Sequence, residues 1–328
     1  MIITRTPYRV SLFGGGTDFP NWYRENGGSV LSFSIDKYCY ISARILPPFF
    51  DHKYRIAYSR IETTVSVEEI KHPVIRESLK RYFPNIGVEI HHHGDLPARS
   101  GVGSSSAFAV GLISALKALS GDTLVNPRSL AEEAIFLEQE LLSEVVGSQD
   151  QIACAYGGIN FIDFPPGNHS WRIEHLKIKE SLVAELEKRM VLVYSGISRT
   201  SSEISVGLIE NLSRKKNLLK RTRELAEHCK QILTESGDLD EVGEMLDESW
   251  KLKRLINPQS VNSPLEELYA SAKRCGALGG KILGAGGGGF LMFWLPTTGR
   301  EKFLQTFNFG TRVPVHVDRS GSTILLEN

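Results

Sequence analysis

Cysteine is scarce: four residues in 328, with Cys39, Cys154, Cys229 and Cys275 far apart and no CxxC pair. This excludes a dense disulfide framework and leads us to expect reduced thiols in a cytoplasmic protein. Neither sign of charge is in excess, since 38 Lys+Arg face 38 Asp+Glu. A protein built to coat nucleic acid or an acidic membrane surface would show an imbalance. Internal repeats, low-complexity tracts and segments depleted of apolar residues are missing as well. The N-terminus reaches Arg5 and Arg9 too early for the apolar core of a signal segment. The longest uncharged stretch, Ile282 to Gly299, is interrupted by Gly284, Gly286, Gly287, Gly288, Gly289 and Pro296. A loop followed by a strand fits it better than a membrane helix, which needs about 20 apolar residues.

What is present is globular: 41% hydrophobic and 23% charged residues, in a chain long enough for two domains or one large one. Val30 to Ile45 is rich in β-branched and aromatic residues, with Ser34, Asp36, Tyr38 and Tyr40 on one alternating face, and predicts a strand. Val88 to His93 predicts a short strand, and Phe108 to Leu119 a buried helix. Asn126-Pro127 opens a helix expected to run to about Leu142. Ile159 to Phe164 returns to strand character. Leu208, Leu212, Leu219, Leu225, Ile232 and Leu233 recur at helical spacing, and strands follow at Phe290 to Leu295 and Val313 to Val317. The expected class is α+β, strand-rich in residues 1–180 and helix-rich in residues 181–328.

Three glycine-rich segments carry the chemistry: Gly14-Gly15-Gly16-Thr17-Asp18, Gly101-Val102-Gly103-Ser104-Ser105-Ser106 and Gly284-Ala285-Gly286-Gly287-Gly288-Gly289. The middle one follows a strand and leads into an apolar helix. Its glycines let backbone approach a ligand, and the free N–H groups and dipole of the helix start favour phosphate. A serine-rich turn capping an ordinary helix is the plain alternative. No GxxxxGK[ST] occurs, and a GxGxxG would need glycine at Ser106, so neither a Walker loop nor a dinucleotide fold is present. Without a Walker lysine, phosphate must be neutralised by the helix end, a metal and another basic residue. Glu138 and Asp150 supply separately held carboxylates, one suited to magnesium with a serine hydroxyl, the other to a reacting hydroxyl.

Pro97 to Ala107 (PARSGVGSSSA) resembles the phosphate-binding motif of the GHMP kinases, the superfamily of galactokinase, homoserine, mevalonate and phosphomevalonate kinases. Arg9 to Asp18 (RVSLFGGGTD) resembles the N-terminal substrate motif of its sugar kinases. Lys281 to Gly289 (KILGAGGGG) resembles its C-terminal glycine motif, and Glu138 and Asp150 fall at the family's spacing. The resemblance implies a GHMP fold with the active site between two domains, and ATP and Mg2+ as donor and cofactor. It implies that Pro97, Arg99, Ser100, Gly101, Val102, Gly103, Ser104, Ser105 and Ser106 surround the nucleotide phosphates. Ser105 and Glu138 would hold magnesium, Asp150 would face the substrate hydroxyl, and Arg9 would stabilise the transferred phosphoryl. Gly14, Gly15, Gly16, Thr17 and Asp18 would meet the sugar, with Gly286, Gly287 and Gly288 shaping the wall.

Galactokinase-type sequences carry Glu-His where this chain has Gly15-Gly16. Two unit charges ~4 Å apart interact by about 4 kcal/mol at an effective dielectric near 20, so losing that carboxylate admits a phosphorylated sugar. The GGGTD form with Ile35-Asp36-Lys37-Tyr38 looks most like the D-glycero-D-manno-heptose 7-phosphate kinases, which phosphorylate the anomeric hydroxyl, although fucokinase-like domains share similar first motifs. Arg99, Lys37 and Arg199 are candidates for the sugar phosphate, each equally readable as a surface charge. The expected partner is a small sugar phosphate, with no nucleic acid and no membrane, for a monomer or homodimer. A sugar- and ATP-binding sensor without catalysis is the alternative class. His91-His92-His93 reads as a strand end, the basic run Arg214 to Arg223 as a solvated helix face, and Trp22 as a residue that could line the pocket.

Overall fold

The first 13 residues alternate apolar and small polar side chains, and β1 (Ile2–Phe13) occupies nearly all of them. Its long antiparallel partner is β2 (Gly28–Ile45), paired from Ile2 opposite Ala43 to Phe13 opposite Leu31. The computed structural model describes residues 1–122, 125–167, 170–197 and 215–327. The ladder slips where Pro7, which has no N–H to donate, faces Tyr38 while Tyr8 faces Ile35. Asp36 and Lys37 are left out of the β1 pairing. The slip also breaks the alternation expected along β2: Ser34 is buried before it, and Cys39, Ile41 and Ala43 after it.

Around this pair the first sheet grows in the order β13 (Thr323–Glu327), β1, β2, β5 (Val88–Gly94), β3 (Tyr54–Ala57), β4 (Ile61–Thr64). The free edge of β2 is shared by three partners in turn: β6 (Ile159–Phe164), β12 (Val317–Asp318) and β5. A short β7 (Arg172–His175) extends β6. Helix α3 (Ser104–Leu119) packs on β1 and β2, its backbone drawn close at Gly111, whose carbonyl accepts from Thr4 Oγ1 at 3.0 Å. Helices α2 (Pro73–Tyr82), α4 (Pro127–Phe136) and α5 (Gln149–Tyr156) gather around α3, and α1 (Pro20–Asn26) follows the first glycine segment. Asn126 caps α4 reciprocally with Ser129, as the Asn-Pro signal predicts. The helix stops being α at Phe136, short of Leu142, because Leu137–Leu141 forms a wider π turn.

The second sheet has the order β11 (Thr311–Val313), β8 (Met190–Tyr194), β10 (Phe290–Trp294), β9 (Gly279–Ile282), all antiparallel. Val191, Val193, Leu291 and Phe293 enter one core with Trp250, Tyr269, Phe303 and Phe307, whereas Leu192, Phe290, Met292 and Trp294 join the larger core. Because β10 is buried on both faces, its sequence is a continuous apolar run. No helix among the described residues is long and apolar enough to cross a membrane. Helices α6 (Glu180–Arg189), α7 (Lys216–Glu235), α8 (Leu239–Ile256), α9 (Ser263–Arg274) and α10 (Arg300–Thr306) complete the fold. Leu208 and Leu212 lie outside the described residues. The strand expected at Val313 to Val317 is instead two short strands in different sheets, since Pro314 between them cannot donate to a ladder. From β12 onward the chain leaves the second sheet and returns to the first, so the helix-rich half does not hold the last residues together.

Helix α8 lies close against β9. A Cβ on Gly279 would stand 2.0 Å from the Gly243 carbonyl oxygen, and one on Gly243 would stand 2.5 Å from Leu278 Cβ. Gly279→Ala is expected to destabilise the fold by about 1–3 kcal/mol through overpacking, read as a lower urea midpoint with an unchanged slope.

Candidate active site

The middle glycine segment forms the start of α3. Gly101 and Gly103 have φ of 86° and 73°, a region that favours glycine. No side chain caps the helix, so its first N–H groups point into the loop without intrahelical partners. The loop is braced from both sides. Arg9 N donates to Val102 O at 3.0 Å, and Phe290 N donates to Ser100 O at 2.9 Å. Ser100 Oγ closes the preceding turn on Pro97 O at 2.6 Å. A Cβ on Gly101 would lie 2.5 Å from Leu283 O, and one on Gly289 would lie 2.3 Å from Ser100 O. The third glycine segment is thus the turn of the β9–β10 hairpin, laid directly on the phosphate loop.

The π turn that ends α4 carries Glu138 inward. Leu142 N bonds to Leu137 O at 3.0 Å, one residue further back than in an α-helix. The Glu138 side chain is fully buried. It accepts from Ser105 Oγ at 3.0 Å, from Ser106 Oγ at 2.9 Å and from Gln151 Nε2. Burial pushes its carboxyl up to about 7, against the pull of the Gln151 and Ser106 bonds. Among the described residues no group of three or more His, Cys, Asp or Glu could hold a metal. Magnesium held on nucleotide phosphates needs fewer protein ligands. Ser105 and Glu138 fit it: hard oxygens in contact, the hydroxyl exposed at the loop, and a buried carboxylate that a cation would return to its charged form.

Arg9 reaches the same place from β1. Its Nε and Nη2 grip Asp150 at 2.7 and 2.5 Å, and Nη1 donates to Gly101 O at 2.7 Å. Asp150 sits in the first turn of α5, partly exposed, with Arg9 almost fully buried behind it. Asp18 lies beside them but is enclosed. Its Oδ1 accepts from Gly16 N at 2.9 Å, Oδ2 from Gln149 N at 3.4 Å, and its carbonyl accepts from Ser148 N. Burial first, then Asp150, raises its carboxyl pKa. At 1% exposure it ties the 14–18 loop to α5, whereas the sequence reading expected it to meet sugar hydroxyls. Thr17 Oγ1 similarly locks the loop, donating to Gly14 O at 2.7 Å. Gly15 leaves room: a Cβ there would meet only Gln149 Nε2 and Ser11 Oγ, both at 3.6 Å.

The other candidates divide. Lys37 is not brought in. It lies in the slipped part of β2, on the side of Arg9 away from the 14–18 loop, and pairs with Asp36 at 3.0 Å. Arg99 stands exposed at the rim of the phosphate loop with φ 59°. Arg199 lies outside the described residues, as does Arg214 of the basic run. Gly286, Gly287 and Gly288 are packed between Ser260 and Ile197, with Gly287 N donating to Ser260 O at 2.6 Å. Trp22 is buried in the main core. His91 sits in an ion-pair group with Glu89 and Arg55, and Arg221 and Arg223 are paired with glutamates on the α7 and α8 surfaces. The sequence reading missed Lys253 and Lys281, whose ammonium groups lie under the hairpin loop: Lys253 donates to Gly284 O at 2.5 Å and Lys281 to Leu12 O at 3.0 Å. Lys281, lone among apolar and glycine residues of β9, was the available signal.

Two family models match in order, GHMP kinases N terminal domain over residues 70–158 and GHMP kinases C terminal over residues 224–308. The chain is 30% identical over 318 residues to a D-glycero-alpha-D-manno-heptose 7-phosphate kinase of Campylobacter jejuni, covering 93% of this chain and 92% of the relative. It is 27% identical over 325 residues to a bifunctional fucokinase/GDP-fucose pyrophosphorylase of Arabidopsis thaliana, spanning 30% of that longer protein. Among solved structures, a D-glycero-D-manno-heptose 1-phosphate kinase from Bacteroides thetaiotaomicron superposes with TM-score 0.80 at 23% identity over 99% of both chains. Lactococcus lactis galactokinase in complex with galactose superposes with TM-score 0.73 at 18% identity, over 98% of this chain and 94% of the other. With a carboxylate gripped by arginine beside an uncapped, glycine-lined helix start, and a relative this similar along nearly its full length, the chain belongs to the GHMP kinases, ATP-dependent enzymes that transfer phosphate to an alcohol hydroxyl.

Proposed function

We propose that this enzyme phosphorylates the anomeric hydroxyl of D-glycero-D-manno-heptose 7-phosphate, giving the 1,7-bisphosphate. The observation that carries the reading is the Arg9–Asp150 pair at the mouth of the phosphate loop, next to a first glycine segment with no acidic side chain at Gly15. Similarity to the C. jejuni heptose 7-phosphate kinase supports the choice of sugar.

The chain's residues divide the work. Bidentate contact with Arg9 fixes the Asp150 carboxylate, which orients the acceptor hydroxyl and takes its proton as the oxygen attacks the terminal phosphorus and the bond from that phosphorus to the β-phosphate oxygen breaks, releasing ADP. Arg9 remains charged and adds positive field where the transferred phosphoryl develops charge. The α3 N–H groups and the Gly101–Ser106 backbone hold the donor phosphates. Ser105 and Glu138 would hold Mg2+, which when bound neutralises phosphate charge. Asp18 sets the spacing between the sugar loop and Asp150 by tying both to the start of α5. Of the three basic candidates for the 7-phosphate, the exposure of Arg99 beside the 101–106 loop supports it over Lys37, which pairs with Asp36.

Asp150→Asn preserves shape and removes charge. Turnover is expected to fall by about 10²–10⁴ with ATP affinity nearly unchanged, measured by coupled ADP release. Run on wild type across heptose 7-phosphate, fucose, galactose, mannose and mevalonate, the same assay tests the sugar; equal or better turnover of fucose would move the assignment to a fucokinase.

Glu138 yields a pH test with a definite sign. Its folded-state pKa of about 7 lies above the ordinary 4.5, so the folded state holds the proton more tightly. Ligand-free stability must therefore fall as pH rises through that window, the reverse of a salt-bridged carboxylate. Glu138→Gln is expected to match wild type near pH 5, to exceed it in urea midpoint near pH 8, and to lose magnesium-dependent turnover by about 10²-fold or more.

A further inference from the structure

Lys281 is buried and Lys253 half-buried, and the transfer chemistry above uses neither. Lys281 projects from β9, 7% exposed, and its ammonium reaches the first sheet at Leu12 O, one residue before Phe13 and the first glycine segment. Lys253 comes from α8, and its only hydrogen-bond partners among the described residues are the carbonyls of Gly284 and Ile282. Gly284 touches Gly101, whose carbonyl Arg9 holds, so all three cations converge behind the phosphate loop where β1, α8 and the hairpin meet. Neither lysine forms an ion pair with any described carboxylate. The two acids nearby are engaged elsewhere, Asp150 with Arg9 and Asp18 with backbone N–H groups.

With Asp150 and Asp18 already engaged, neither lysine has a counter-charge here when protonated. Carbonyl dipoles satisfy some ammonium protons but cannot balance charge, and a buried unbalanced charge is costly. A tetrahedral dianion, with several acceptor oxygens, would complete the arrangement. We propose that Lys253 and Lys281, with Arg9, form a receptor for one phosphate group, either the donor's terminal phosphate or the phosphate already on the sugar. The protonation behaviour agrees. Burial, then Arg9, brings Lys253 down to about 7, and burial, Lys253 and Arg9 take Lys281 well below its ordinary value, with Asp18 opposing. The empty receptor avoids part of its charge and gains it when the anion arrives.

This rests on the kinase reading of the site, so its first test involves no turnover. The probe is sulfate, without nucleotide or magnesium, at constant ionic strength set with chloride. Sulfate is expected to raise the wild-type melting temperature above the chloride control and, by calorimetry at pH 8 in two buffers of different ionisation enthalpy, to bind with uptake of about one proton. Lys253→Met and Lys281→Met should each weaken sulfate binding about tenfold or more. Kinetics then identify the source. A KM for heptose 7-phosphate raised about tenfold, with ATP parameters kept, assigns the sugar's phosphate; a kcat lowered about 100-fold, with both KM values kept, assigns the transferred phosphoryl. Failure of sulfate to bind wild type with proton uptake overturns the receptor even if the variants do not fold. Folded variants with wild-type sulfate affinity and kinetics overturn it equally, whereas inactivity of wild type toward every sugar would instead sink the substrate assignment.

Discussion

Arg9 holds the site together. Its guanidinium takes Asp150 by two nitrogens and Gly101 O by the third, and its own N–H takes Val102 O. One strand residue thus joins the candidate base, on α5, to the phosphate loop at the start of α3. A buried ion pair of this kind contributes little net stability, since desolvation offsets much of the attraction. Its value here is placement, because a planar fork leaves Asp150 one orientation. The slip in the β1–β2 ladder at Pro7–Tyr8, two residues upstream, lies where irregular pairing commonly re-aims a functional side chain.

Around that arginine the β9–β10 hairpin meets the loop before α3 backbone to backbone. Gly101 lies on Leu283 and Gly284 and Gly289 on Ser100, while behind the hairpin Gly279 of β9 lies on Gly243 of α8. At each of these contacts a single Cβ would overlap main-chain atoms, so glycine is required by proximity. The same closeness draws Lys253 and Lys281 under the loop, although they belong to a helix and a strand of the second half. Charge is therefore concentrated at the seam, with Glu138 and Asp18 buried on the first-sheet side and two lysines on the other. An anionic substrate would complete such a seam; an empty one keeps several groups away from their ordinary charge states.

The sequence reading located the elements that depend on local pattern: β2, β5, β6 and β10, the buried helix α3, and the capped start of α4. It placed Ser105 with Glu138 and Arg9 with Asp150 only through family resemblance, because partners separated by 33 and 141 positions leave no local trace. Lys253 was invisible for the opposite reason. Between Lys251 and Arg254 it looks like part of a solvated helix face, and only the close packing of α8 on β9 turns it inward. Lys37, readable from sequence as a site candidate or a surface charge, lies in the ladder slip and pairs with Asp36. Asp18 looked open to the sugar and is enclosed by its own loop and α5.

Composition and periodicity by themselves determined an α+β chain with three close-approach glycine segments and without an uninterrupted membrane-length apolar run or a Walker lysine, because those properties follow from short-range geometry and residue chemistry. Tertiary structure alone decided that the third glycine segment lies on the second, that the final strands rejoin the first sheet, and that Lys253 and Lys281 reach carbonyls of Gly284 and Leu12. Those outcomes depend on which distant surfaces can pack without overlap and which buried charges find a counter-charge, and neither is encoded within any single stretch of chain.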